Sequence, residues 1–139
     1  MNRRHTLISY HECDHTYTVT IGTDMGQFTA SVFCRPEDRD HETEYFGYEQ
    51  AEIKACIYHA RAKRKAYRER QIALQNFWKM MQGTRTYDID AFYVKKLRAE
   101  IGEMEYMVKH WRNVEQMYET FYHNNILNHD RQMRGKKNG

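Results

Sequence analysis

The sequence predicts an α+β fold: a small N-terminal antiparallel β-sheet followed by a long antiparallel two-helix hairpin. Three observations carry this. Residues before Pro36 alternate apolar and polar with period two. Pro36 is the only proline of the chain and stands where that alternation ends. Beyond Gly47 two long stretches with helical spacing are separated by one short break around Gly83.

The strands come first. Thr16-Tyr17-Thr18-Val19-Thr20-Ile21 puts Tyr17, Val19 and Ile21 on one face and threonines on the other, a β-branched period-two pattern. Gly22 to Gly26 supplies turn chemistry, and Gln27 to Cys34 alternates again, with Phe28, Ala30, Val32 and Cys34 sharing a face. The expected element is a hairpin with a five-residue loop. Thr6 to Tyr10 reads as a third, weaker strand. So small a sheet needs another surface over its apolar face. Arg35 to Asp40 is a turn-forming acidic connector, and sheet plus connector occupy residues 1–46.

The helices follow. From Tyr48 to Gln82 there is neither Pro nor Gly, and Ala, Glu, Lys, Arg and Gln dominate. This predicts a helix of about 33 residues, roughly 50 Å long. Ile53, Ile57, Ala60, Tyr67, Leu74, Trp78 and Met81 form its stripe, interrupted by Arg64 and Gln71. Gly83 suits a C-cap and Asp88 an N-cap. A second helix is expected from about Ile89 to about Met133, with the stripe Val94, Leu97, Ile101, Met104, Val108, Trp111, then Tyr118 and Phe121 or Tyr122. The hairpin is thus assigned to residues 47–134 and a disordered tail to 135–139, the whole forming one structural domain. In an antiparallel hairpin the end of the second helix returns beside the start of the first. Residues 35–47 and 124–134 are therefore expected to be neighbours. Tyr106 and Met107 flank the second stripe, and this extra apolar width predicts self-association.

Composition excludes several classes. The chain has 139 residues, 40% hydrophobic and 14% aromatic, with mean hydropathy −0.98. So many aromatics argue against disorder despite the polar average. No run approaches the eighteen or so apolar residues of a membrane span, and no apolar segment follows Arg3-Arg4, so no signal peptide is expected. Three cysteines at irregular spacing fit reduced thiols in a cytosol. A net charge of +3 is too mild to imply nucleic acid as a partner.

Candidate chemistry is sparse. His11, Cys13 and His15 would converge on one strand face, with Cys34 a conceivable fourth metal ligand, but the spacing matches no zinc module. An exposed polar turn explains the same residues. Arg61, Arg64, Lys65 and Arg68 form a basic helix stripe that suits either phosphates or the acidic residues Glu100, Glu103 and Glu105. There is no Gly-rich phosphate loop, GxSxG or HExxH, so neither an enzyme nor a cofactor is expected. Cys13, Cys34 and Cys56 have histidines nearby in sequence, with nothing that orients one as a base. The last constellation joins Arg112-Asn113 to the segment Asn128 to Arg134. Arg131 and Arg134 share a helix face, and guanidinium forks suit phosphate oxygens. Asp130 and Asn113 offer acceptors for ribose hydroxyls, and Phe121 or Phe33 offers a face for a base. With Arg35 at the same end, these residues outline either an anionic-nucleotide pocket or a helix end whose cations complement the macrodipole.

The segment Phe28 to Asp38, followed by Phe46-Gly47, Ala51 and Ile53-Lys54, resembles a pattern in small phage-encoded proteins: a strand ending in Cys, an acidic connector, then a Gly-started helix rich in Ala, Arg and Lys. The whole plan resembles the first type of phage anti-Thoeris protein. The resemblance covers most of the chain as layout and about 27 residues as motif. It implies a protein of the host bacterial cytoplasm that sequesters cyclic ADP-ribose isomers, made by TIR-domain enzymes, without cleaving them. It also implies pockets at a homodimer interface, and assembly up to hexamers. That family draws its pocket from arginines and an Asn/Asp pair at the sheet end and late in the second helix. The positions matching by type and place are Arg35, Arg112 or Asn113, Asp130, Arg131 and Arg134. The competing expectation is a phage inhibitor that binds a host defence protein directly, in the manner of an anti-CRISPR. A structural coiled-coil accessory protein fits the helices but leaves the sheet unexplained.

Overall fold

Alternation in the N-terminal region becomes a three-stranded antiparallel sheet in the computed structural model, of order β1-β2-β3: β1 Thr6–Cys13, β2 Thr16–Thr23 and β3 Gly26–Phe33. The structure describes residues 5–83 and 91–137, with side chains described for 5–82 and 92–130. After a 3-10 turn over Pro36–His41 come two long helices, α1 Glu44–Gly83 and α2 Ala91–Lys137, which pack against each other. The expected α+β architecture is therefore present.

Tyr17, Val19 and Ile21 are buried on one face of β2, paired with Val32, Ala30 and Phe28 of β3. The opposite face is a polar ladder in which Thr18 meets Ser31 at 2.7 Å and Thr20 meets Thr29 at 2.8 Å. Both connections are tighter than expected. β2 and β3 run through Gly22-Thr23 and Gly26, so only Asp24 and Met25 remain between them. Thr23 Oγ1 closes that turn, donating to the Gly26 carbonyl and accepting from the Met25 N–H. Gly26 takes a φ of 101°, open to glycine. Between β1 and β2, Asp14 and His15 both have positive φ, 51° and 64°, the geometry of a two-residue hairpin turn.

α1 covers the buried sheet face with small residues. Ala51, Ala55 and Cys56 join Val19, Ile21 and Ala30 in one core, with Tyr118 of α2 packed against it. Alanines let the helix axis approach the sheet closely, and Lys54 Nζ donates to the Ser31 carbonyl at 3.0 Å. Complete burial of Val19 and Ile21 contributes about 1.5–3 kcal/mol each.

The helix boundaries differ from expectation at two places. α1 starts at Glu44, because Thr43 caps it: its Oγ1 accepts from the Phe46 N–H and its carbonyl from the Gly47 N–H. Gly47 is thus inside the first turn. It sits there because the Tyr17 ring lies against it; a Cβ would come within 2.5 Å of that ring. At the other end α2 continues to Lys137, so residues 135–137 of the expected tail are helical. The expected C-cap Gly83 is the last residue of α1, and the expected N-cap Asp88 lies outside the described residues.

The chain divides into two compact units. The first holds the sheet, the 3-10 turn, α1 through Ala60 and α2 from Val114. The second holds the remainder of α1 from Arg61 and α2 up to Asn113. Its core is Gln71, Leu74, Leu97, Val108 and Trp111. The Arg98 guanidinium lies 4.9 Å over the Trp78 ring, and Lys63 Nζ lies 5.5 Å over that of Trp111.

Candidate functional site

The first unit contains a pocket of about 290 Å³ at the sheet end next to the start of α1. The end of β3 and its exit contribute Val32, Phe33, Cys34 and Arg35; the connector contributes Asp38 and Glu42. α1 supplies Phe46, Gly47 and Gln50, and α2 supplies Tyr122, Ile126, His129 and Asp130. Residues 35–47 and the late part of α2 are therefore neighbours, as the antiparallel hairpin requires.

A carboxylate node forms the floor. Tyr17 Oη donates to Glu42 Oε2 at 2.7 Å, and His15 Nδ1 lies 2.7 Å from Oε1 and 3.0 Å from Oε2. The Tyr17 hydrogen bond, with help from Cys34 and His15, holds the Glu42 carboxyl below its ordinary value despite the opposing effect of burial. Burial, then the Glu42 carboxylate, pushes the Tyr17 phenol well above its ordinary range. The same two causes push the Cys34 thiol up to about 11. Cys34 therefore rests as a neutral thiol and is a poor nucleophile.

Above the floor, aromatic groups line the wall. Phe46 and His129 stack with ring centroids 4.0 Å apart at 14°. Phe33, more than half exposed, lies beneath the Arg39 guanidinium at 5.9 Å. Buried among these groups is Gln50, only 3% exposed, whose Oε1 and Nε2 have no hydrogen-bond partner among the described residues; His129 Nε2 also lacks one among them.

Arg35 and Asp130 both line this pocket. Phe121 does not: it is 52% exposed, and its neighbour Tyr122 takes the lining position. Phe33 is the sequence-suggested aromatic that reaches the pocket. Arg112 and Asn113 are exposed and belong to the other unit, where Arg112 lines a separate hollow of about 330 Å³ with Arg64, Lys65 and Arg68. Arg131 and Arg134 lie on α2, and their side chains fall outside the described residues. Sequence reasoning missed Glu42, Phe46, Gln50 and His129. Phe46 and His129 stand inside the segments Phe46-Gly47 and Asn128 to Arg134 without being singled out there, and Gln50 is an amide beside the small residues Gly47 and Ala51 on the buried face of α1.

The other proposed clusters resolve differently. The alternation that would align His11, Cys13 and His15 stops at Cys13, and His15 turns to Glu42. Cys56 does have an oriented partner: its Sγ lies 3.6 Å from His5 Nδ1, and His5 Nε2 lies 3.1 Å from Glu52 Oε1. That order matches nucleophile, base and carboxylate. Cys56 is nevertheless a core residue at 4% exposure, packed with Val19 and Ile21, so the cluster ties His5 to α1 and offers a substrate no access. Comparison of the chain with family models, curated proteins and solved structures finds no match.

Proposed function

We propose that this chain is a phage-encoded anti-defence protein that binds a cyclic ADP-ribose-type signalling nucleotide in the sheet-end pocket, holds it intact and so blocks Thoeris immunity in the host cytoplasm. The observation that carries this reading is the convergence of Arg35, Asp130 and the stacked Phe46–His129 pair on one pocket. A guanidinium for phosphate, a carboxylate for ribose hydroxyls and an aromatic face for a base are the groups such a ligand needs. A sequestering protein needs affinity and no transition-state stabilisation. The neutral Cys34 thiol and the fully engaged Glu42 carboxylate suit binding without attack on a pyrophosphate.

At about 290 Å³ the pocket is at the small end of ligand sites, room for a nucleoside portion of the ligand. In this reading a second copy of the chain covers the rest, giving a homodimer or larger assembly. Exposed Phe33, Tyr45, Met117 and Phe121 in the same unit are apolar surface for that contact. Lowering free signal calls for a nanomolar dissociation constant, about −12 kcal/mol.

The test is direct. Purified protein is incubated with a panel of cyclic ADP-ribose isomers and cyclic oligonucleotides, freed of unbound ligand and denatured by heat; released material is identified by mass spectrometry. The expected result is one cyclic ADP-ribose isomer recovered intact. Degraded nucleotide would show an enzyme instead. No retained nucleotide at micromolar protein would overturn the reading and direct the search to a host defence protein as the target.

A further inference from the structure

We propose that Gln50 reads the ligand's base: its carboxamide pairs with the adjacent donor and acceptor on the edge of an adenine, which lies in the pocket beside Phe46 and His129. This deepens, and rests on, the reading of the pocket as a nucleotide site. Gln50 is 97% buried and lines the pocket, yet neither end of its amide is hydrogen-bonded among the described residues. A buried amide group without a partner is destabilising, and folded proteins tolerate few of them. A ligand that brings both a donor and an acceptor relieves that cost.

The chemistry of the amide narrows the ligand group. A phosphate offers acceptors alone and would leave Gln50 Oε1 unpaired. An adenine presents an exocyclic amino donor next to a ring-nitrogen acceptor, the pair that a Gln amide matches in bidentate fashion. The amide can turn over to suit, since no hydrogen bond from the described residues holds it. The surroundings agree with a flat base. Phe46 and His129 already stack face to face, which leaves a π-face for a further ring, and His129 Nε2 is a second polar atom without a partner among the described residues. Glu42, a carboxylate in the same lining, is already engaged by Tyr17 and His15. The base therefore goes inward to Gln50, and the phosphates lie toward Arg35 at the exit of the sheet.

The experiment compares adenosine 5′-monophosphate with purine riboside 5′-monophosphate, which lacks the 6-amino group, by titration calorimetry up to millimolar ligand. Wild type, Gln50→Leu and Gln50→Glu are measured, with cyclic ADP-ribose isomer retention run on the same preparations. Wild type is expected to favour the adenine nucleotide at least tenfold. Gln50→Leu should lose that preference while its ligand-free melting temperature holds or rises, because an unpaired buried amide is removed. Gln50→Glu, which has lost the N–H donor, should weaken adenine binding by a similar factor. No adenine-nucleotide binding, equal binding of both nucleotides, or a preference that survives in Gln50→Leu overturns the inference, even if a cyclic ADP-ribose isomer is retained and the sequestration reading stands. A Gln50-dependent adenine preference with no cyclic ADP-ribose isomer retained supports base reading and sinks sequestration alone.

Discussion

Glu42 is the residue on which the pocket floor depends. Its carboxylate accepts from Tyr17 of β2 and meets His15 from the β1–β2 turn. Because its folded value lies below its ordinary 4.5, this stabilisation is present above about pH 4.5 and is lost as pH falls through the lowered value. Glu42→Gln should cost about 1–3 kcal/mol at neutral pH and flatten the acid limb of stability, as read by urea unfolding between pH 3 and 7. Cys34 has the opposite sign. Its raised value favours the neutral thiol in the fold, so that contribution is intact below pH 9.0 and disappears as pH rises through about 11. At pH 8 exposed Cys13 should be alkylated well before Cys34, with the order read by mass spectrometry of iodoacetamide adducts.

Two helical glycines separate propensity from packing at the scale of the element. A Cβ at Gly102, exposed in the middle of α2, would meet nothing within 4 Å. Gly102→Ala should therefore stabilise by about 0.8–1.0 kcal/mol, the intrinsic helix preference. At Gly47 the same propensity gain meets the Tyr17 ring at 2.5 Å. That ring is buried and held by Glu42, so it cannot move aside cheaply. Gly47→Ala should destabilise by about 1–3 kcal/mol and open the pocket floor. Thermal unfolding of the two variants side by side checks both signs.

At the scale of the whole molecule, the long helices leave more apolar side chain exposed than one chain covers. Tyr45 is 80% exposed, Phe92 74% and Tyr106 67%, and Met117 and Phe121 lie one helical turn apart on α2. Light scattering should therefore find a homo-oligomer at micromolar concentration. Phe121→Glu should shift it toward monomer with little change in helix content, because the residue is exposed and outside the described pocket lining. A wild-type chain that stays monomeric across the concentration range would remove the second copy from the proposed site.

The sequence by itself determined what depends on local periodicity. Tyr17, Val19 and Ile21 had to share a face, the long Ala-, Glu- and Lys-rich stretches had to be helices, and an antiparallel pair had to bring Arg35 toward Asp130. These follow from side chains pointing the same way at every second residue of a strand or every three to four of a helix, whatever else surrounds them. Only the tertiary structure decided which particular side chains meet. It buried Gln50 without a partner among the described residues, stacked Phe46 on His129 and joined Glu42 of the connector to His15 and Tyr17 at the start of β2. It also placed Arg112 in the other unit and kept Gly47 inside a helix for the sake of a ring on β2. Such choices rest on steric contact and hydrogen-bond geometry between residues far apart in sequence. No spacing along the chain encodes them.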